Sequence, residues 1–218
     1  DLAAAVGNAG GYPILPFSWS SFDTITSEIE TLRSKTKAPF AVNLCLDMDQ
    51  AARLDFCLSH QPNAVHFFWG EAAPYVEQVH ASSALVIQTV SDSAGAKRAV
   101  DAGVDILIAQ GWEAGGHVWG QVATMALVPQ IVDAVDLPVI ATGGIADGLL
   151  PETRRNASAC FIPSVNERFE PNRTYDCGPL EVARLRHRLL WKVAPGPSPR
   201  NAAPAKRIRY LFGYSVFQ

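Results

Sequence analysis

Hydrophobic residues gather in short continuous runs at 12–17, 40–46, 64–69, 84–90, 104–110 and 138–142. These runs are rich in Val, Ile, Leu and Phe and mostly do not alternate with polar residues. That is the pattern of parallel strands covered on both faces. Between the runs, apolar positions recur at helical spacing. Leu2, Ala5, Val6 and Ala9 form one stripe, and Phe22, Ile25, Ile29 and Leu32 form a second, with Ser20 or Ser21 placed to cap it. Ala96, Ala99, Val100 and Gly103 make a third, and Leu127, Val128, Ile131, Val132 and Val135 a fourth. The predicted strands start 20 to 34 residues apart, about one strand-plus-helix unit each. The chain therefore reads as α/β. Repeated units of this kind build either a doubly wound sheet or a barrel, and periodicity alone does not separate the two.

The repeat fails after residue 148. Residues 151–218 carry 12 Lys+Arg against 5 Asp+Glu and 8 of the 15 prolines, whereas residues 1–150 carry 6 against 16. Arg184, Arg186 and Arg188 alternate with Leu185, His187 and Leu189, and Pro195, Pro197 and Pro199 follow. The expectation is a repeating portion over 1–148 and an atypical basic, Pro-rich segment over 149–218 that no longer encodes the same fold. Such a charge imbalance can mark a nucleic-acid-binding arm. The change in composition accounts for it more simply, so no nucleic-acid partner is expected. No apolar run reaches the roughly 18 to 20 residues that span a bilayer, and no basic, then apolar, leader opens the chain. An intracellular, cytoplasmic protein away from membranes is the expectation. Cys45 and Cys57 lie in apolar stretches and read as reduced, space-filling residues, and no metal site is expected.

Two stretches carry chemistry. Gln110-Gly111-Trp112-Glu113-Ala114-Gly115-Gly116-His117 follows the fifth predicted strand, where a barrel enzyme builds its site on the loops at the C-terminal strand ends. Glycines there permit close backbone approach to a flat ligand. The connection to the next strand is the longest of the set, as functional loops often are. His117 ends the glycine run, with Trp112 and Trp119 near it as candidate walls of an apolar pocket. His60, His66, His80 and His187 lack such a setting and read as structural. The second stretch, Val139-Ile140-Ala141-Thr142-Gly143-Gly144-Ile145-Ala146-Asp147-Gly148, is a buried strand ending in a glycine pair at an expected helix start. Backbone N–H groups and the helix dipole make such a point an anion site.

Taken together, in this order and spacing, the two motifs resemble the nitronate monooxygenase family, the older 2-nitropropane dioxygenases. Asp1–Gly11 is similar to that family's first helix and turn, and Pro39–Leu44 to its third strand, so the resemblance covers residues 1 to about 148. It implies a (β/α)8 TIM barrel, incomplete here, with about six recognisable strands. The first strand would precede Asp1, and the eighth, with its Gly-Thr phosphate pair, has only 157–164 as a counterpart. The resemblance implies FMN as cofactor. Asn43 and Gln110 would contact its ring or ribityl chain from strand ends, Gly115 would pass against it, and Gly143 and Gly144 would hold its phosphate. His117 would be the catalytic base or the hydrogen-bond partner of the substrate. The implied reaction is FMN-dependent oxidation of an alkyl nitronate, or a nitroalkane, by O2 to a carbonyl compound and nitrite. Two alternatives stand beside it: a flavin-dependent enoyl-acyl-carrier-protein reductase, which shares a similar glycine-His loop, and an inactive truncated relative.

Overall fold

A computed structural model describes residues 1–145 together with the short pairs 157–158 and 208–209. Six parallel strands follow one another in the order of the chain: β1 (Ile14–Pro16), β2 (Ala41–Cys45), β3 (Ala64–Phe68), β4 (Leu85–Val90), β5 (Ile106–Gln110) and β6 (Val139–Thr142). A doubly wound sheet reverses its strand order at a switch point. No reversal occurs between β1 and β6, so the sequential order selects the barrel reading, which the sequence left open. Among the described residues the sheet does not close, and β1 pairs with β2 alone. Two-residue strands β7 (Ala157–Ser158) and β8 (Ile208–Arg209) extend it beyond β6 in the order β6-β8-β7. The expected change of character over 149–218 lies otherwise outside the described residues.

The connections are helical, four of the six described α-helices coinciding with the predicted stripes. They are α1 (Leu2–Asn8), α2 (Phe22–Lys35), α3 (Ala51–Ser59), α4 (Val76–Ala81), α5 (Ser93–Asp101) and α6 (Thr124–Ala134). In α1, Ala4 and Gly7 are buried, whereas the expected Ala5 and Ala9 are exposed. Of the two expected caps for α2, Ser21 serves, its hydroxyl accepting from the Thr24 N–H at 3.2 Å. Asp92 caps α5 through Gly95 N–H at 2.6 Å. The buried stripe of α2 is Ile25, Ile29 and Leu32, and that of α6 is Leu127, Val128, Ile131 and Val132.

Each strand divides its residues between two cores. Val42, Leu44, Val65, Phe67, Val86, Leu107 and Ala141 join the helices in the outer, larger core. Tyr12, Ala41, Ala64, Ile87, Ile106, Ile108 and Ile140 form a second cluster on the inner face. Both faces are buried, which is why the strands read as continuous apolar runs. Full burial of each large aliphatic side chain contributes about 1.5–3 kcal/mol, and together these drive the sheet and helices together. Cys45 and Cys57 are buried and free, as expected, and burial pushes the Cys57 thiol up to about 12. Among the described residues no helix is long and apolar enough to cross a membrane.

Candidate active site

The parallel strands deliver all their C-terminal ends to one rim, and the loops there assemble the candidate site. Among the described residues the longest is 111–123, between β5 and α6. Gln110, the last residue of β5, shapes it. The Gln110 Nε2 donates to the His117 carbonyl at 3.0 Å, and its Oε1 accepts from the Trp119 N–H at 3.1 Å. One side chain thus ties the His117–Trp119 backbone to the strand end. The imidazole of His117 is exposed at the rim, and Gly115 and Gly116 beside it are exposed as well.

The aromatic walls differ from those expected. Trp69 has its ring centroid 4.6 Å from that of His117, and Trp19 lies 6.4 Å from it. Trp112 is 61% exposed, and Trp119 packs edge-on against Phe68 with centroids 6.4 Å apart. Trp19 comes from the loop after β1, and Trp69 directly follows β3 with φ of +49°. That left-handed conformation is rare for a bulky residue and carries a strain of order 1–3 kcal/mol. Strand-end neighbours far apart in sequence leave no local signal, so only the tryptophans adjacent to His117 in the chain were legible.

The glycine pair follows β6 and packs against the 111–123 loop. Gly143 and Gly144 have φ of +109° and +65°, a conformation that L side chains rarely adopt. Among the described residues neither glycine N–H meets an acceptor. Successive N–H groups in such a turn form an anion-binding concavity, so this backbone fits a phosphate group. The helix expected to begin after the pair lies outside the described residues.

A carboxylate from the glycine loop locks the two stretches together. Glu113 Oε2 accepts from the Thr124 N–H at 2.9 Å and its hydroxyl at 3.1 Å, and it so caps α6, whose own N-cap Ala123 has no acceptor side chain. Desolvation alone would raise the Glu113 carboxyl, but the hydrogen bonds from Thr124 outweigh it and lower its pKa. The Thr124 hydroxyl also lies 2.8 Å from the Gly143 carbonyl. Gly111 is required at this junction: a Cβ there would stand 1.9 Å from Thr124 Oγ1 and 2.5 Å from its nitrogen. Sequence reasoning missed Glu113 and Thr124, although an acidic residue in a glycine loop before a helix lacking a cap was the available sign.

Asn43 is placed differently from its expected position. It is the third of five residues in β2, on the inner face and fully buried, rather than at the strand end. Its Nδ2 lies 3.0 Å from Nδ1 of His66, and its Oδ1 is buried with no hydrogen-bond partner. His66, expected to be structural, is buried mid-strand in a polar chain rather than in apolar packing, with Nε2 2.8 Å from Thr89 Oγ1.

A sequential parallel α/β sheet with a glycine-His loop and a left-handed glycine pair at one rim defines a barrel-type enzyme segment. Residues 48–149 match the family described as nitronate monooxygenase. The chain is a partial segment of the nitronate monooxygenase family. It is 34% identical over 148 residues to a (3aS,4S,5R,7aS)-5-hydroxy-7a-methyl-1-oxo-octahydro-1H-indene-4-carboxyl-CoA dehydrogenase of Rhodococcus jostii, matching 67% of this chain and 42% of that protein. FabK from Thermotoga maritima superposes with a TM-score of 0.64 at 38% identity, covering 67% of this chain and 47% of FabK. Nitroalkane oxidase from Streptomyces ansochromogenes gives 0.59 at 27%, with 67% and 55% covered. The chain thus spans about half the length of these relatives.

Proposed function

We propose that this chain belongs to a protein that uses FMN and O2 to oxidise alkyl nitronates, or the parent nitroalkanes, to a carbonyl compound and nitrite. The observation that carries the reading is the rim itself. An exposed imidazole on a glycine loop stands beside two indole rings, and a left-handed glycine pair with open N–H groups packs against the same loop. Residues 1–148 would form the flavin-binding portion, with 149–218 a separate segment.

In this reading the N–H groups of Gly143 and Gly144 hold the FMN phosphate, and exposed Gly115 lets the backbone pass close to the ring. Asn43 and Gln110 contact the flavin with the capacity their present bonds leave over. Gln110 keeps one N–H and one lone pair, and Asn43 keeps its Oδ1. When bound, FMN supplies the electron chemistry and the reaction with oxygen. The chain supplies orientation and a proton acceptor. His117 takes the α-proton of a neutral nitroalkane or donates to the nitro group of a nitronate, a task for which imidazole is suited near neutral pH. Trp19 and Trp69 give the substrate's alkyl part an apolar wall.

Gel filtration of the purified chain with FMN tests the reading: a yellow protein that consumes O2 and releases nitrite on addition of propyl nitronate is expected. A colourless chain points to the inactive relative, and flavin without nitrite release removes the nitronate reaction. The name of the Rhodococcus relative contains a CoA thioester, and this favours a second reading, in which the flavin serves an acyl thioester as in an enoyl-acyl-carrier-protein reductase. Rapid flavin reduction by NAD(P)H, followed by reoxidation with an enoyl thioester, distinguishes it.

A further inference from the structure

Three buried polar side chains are linked on the inner face, and only Asn43 among them has a role in the reading above. Asn43, His66 and Thr89 stand on adjacent strands β2, β3 and β4, each 8% exposed or less. The direction of every bond between them follows from the atoms involved. The Asn43 amide group that lies 3.0 Å from His66 Nδ1 also lies 3.3 Å from the His66 carbonyl oxygen. It must be the NH2, since an amide oxygen there would set two acceptors against each other. His66 Nδ1 therefore accepts. In the neutral ring the proton then resides on Nε2, which donates to Thr89 Oγ1 at 2.8 Å. Desolvation keeps this ring neutral by moving its pKa down to about 4.

Thr89, having accepted, retains one proton to give, and no acceptor for it lies among the described residues. Its neighbours in the same layer on β3, β5 and β6 are Phe68, Ile108 and Ile140, all apolar. The next inner-face layer is Gln110 with Thr142, at the rim. The chain also begins open, at the buried, unpartnered Oδ1 of Asn43. A buried polar group left unmet costs about 1–3 kcal/mol, so both ends of this chain call for a ligand.

We infer that Asn43, His66 and Thr89 form a one-way donor chain that presents the Thr89 hydroxyl proton to an acceptor atom of the flavin ring, with Asn43 and His66 as positioning residues. This rests on the FMN reading above. The isoalloxazine carbonyl oxygens and unprotonated ring nitrogens supply acceptors of the required kind. A donor at one of them stabilises the electron-rich reduced ring more than the oxidised one.

The test is FMN titration and a flavin midpoint potential for the wild type, Thr89→Val and Thr89→Ser. Val keeps the β-branched shape and removes the donor. Thr89→Val should bind FMN about three- to tenfold more weakly and lower the midpoint potential, while Thr89→Ser retains both. Equal affinity and potential in wild type and Thr89→Val would overturn this inference alone, and would show that water or nothing meets the hydroxyl. A wild type that takes up no FMN would overturn the cofactor reading and this inference together. Should Thr89→Val not fold, ¹⁵N-histidine NMR of the wild type decides. The Nε2–H tautomer of His66, with a resonance that moves when FMN is added, supports the chain, and the other tautomer or an unmoved resonance overturns it.

Discussion

His66 and His117 lie at two depths of the same barrel wall, and their surroundings are opposite. His66 is inside, mid-strand, with both ring nitrogens engaged by side chains from neighbouring strands. His117 is at the rim on a loop, exposed, held through its backbone carbonyl by Gln110 and flanked by indole rings. Strand ladders fix the interior geometry, and a single glutamine with one carboxylate fixes that of the rim. A ring used for proton transfer needs access to solvent or substrate. A ring used for orientation needs the opposite, a dry and fully bonded site. The two depths therefore suit the same residue type to two tasks, the proton transfer proposed for His117 and the positioning inferred for His66.

The largest effect that tests this contrast is expected at the rim. Replacing His117 with Asn should leave the fold and bound flavin intact and lower kcat/KM for neutral nitroalkanes by about 10²- to 10⁴-fold. A value within threefold of the parent would take the proton-transfer role away from His117.

The interior histidine should reveal itself in stability rather than rate. Its pKa falls from 6.5 to about 4 on folding, so the unfolded chain binds the proton more readily. Stability is then complete above pH 6.5 and declines as pH falls towards 4, by about 1.4 kcal/mol per pH unit. Urea unfolding across that window should show the decline in wild type and lose this component in His66→Gln. Equal slopes in both proteins would place His66 in contact with water.

A smaller effect is expected where the two glycine stretches meet. Gly111→Ala forces a methyl group against Thr124, and about 1–3 kcal/mol of stability should be lost in denaturant unfolding. An unchanged midpoint would mean that the loop and α6 adjust independently. Last, Gly144→Val forces a β-branched side chain into a left-handed backbone at a cost of about 1–3 kcal/mol. In the protein that remains folded, FMN occupancy after dialysis should fall by about tenfold, because the side chain shields the open N–H groups. Full occupancy would reduce the pair to a turn.

The strands were legible because burial on both faces leaves an unbroken apolar run, as in Ala64–Phe68. The same property hid His66, whose polar chain occupies one position inside such a run. Asn43 was drawn towards the strand end by resemblance, whereas register with His66 places it in the middle. His117 and the glycine pair could be found because each motif is local. Trp19 and Trp69 could not, since their meeting with His117 depends on which strand ends lie side by side. The Glu113 cap on α6 spans 11 residues of loop, and no helix-start rule looks that far back.

The uninterrupted strand order also bears on how the molecule is made. Each strand from β2 to β6 docks on the strand that precedes it in the chain. During synthesis, every new strand-and-helix unit thus emerges with its partner already available. Loop closures stay short, and the wall can grow by accretion from the N-terminal side, a route open to proteins dominated by near-neighbour pairings. The cost falls on the leading strand at each moment, whose backbone groups face outward until the next arrives. Pausing or cleavage between units would leave that strand ready to pair with another copy.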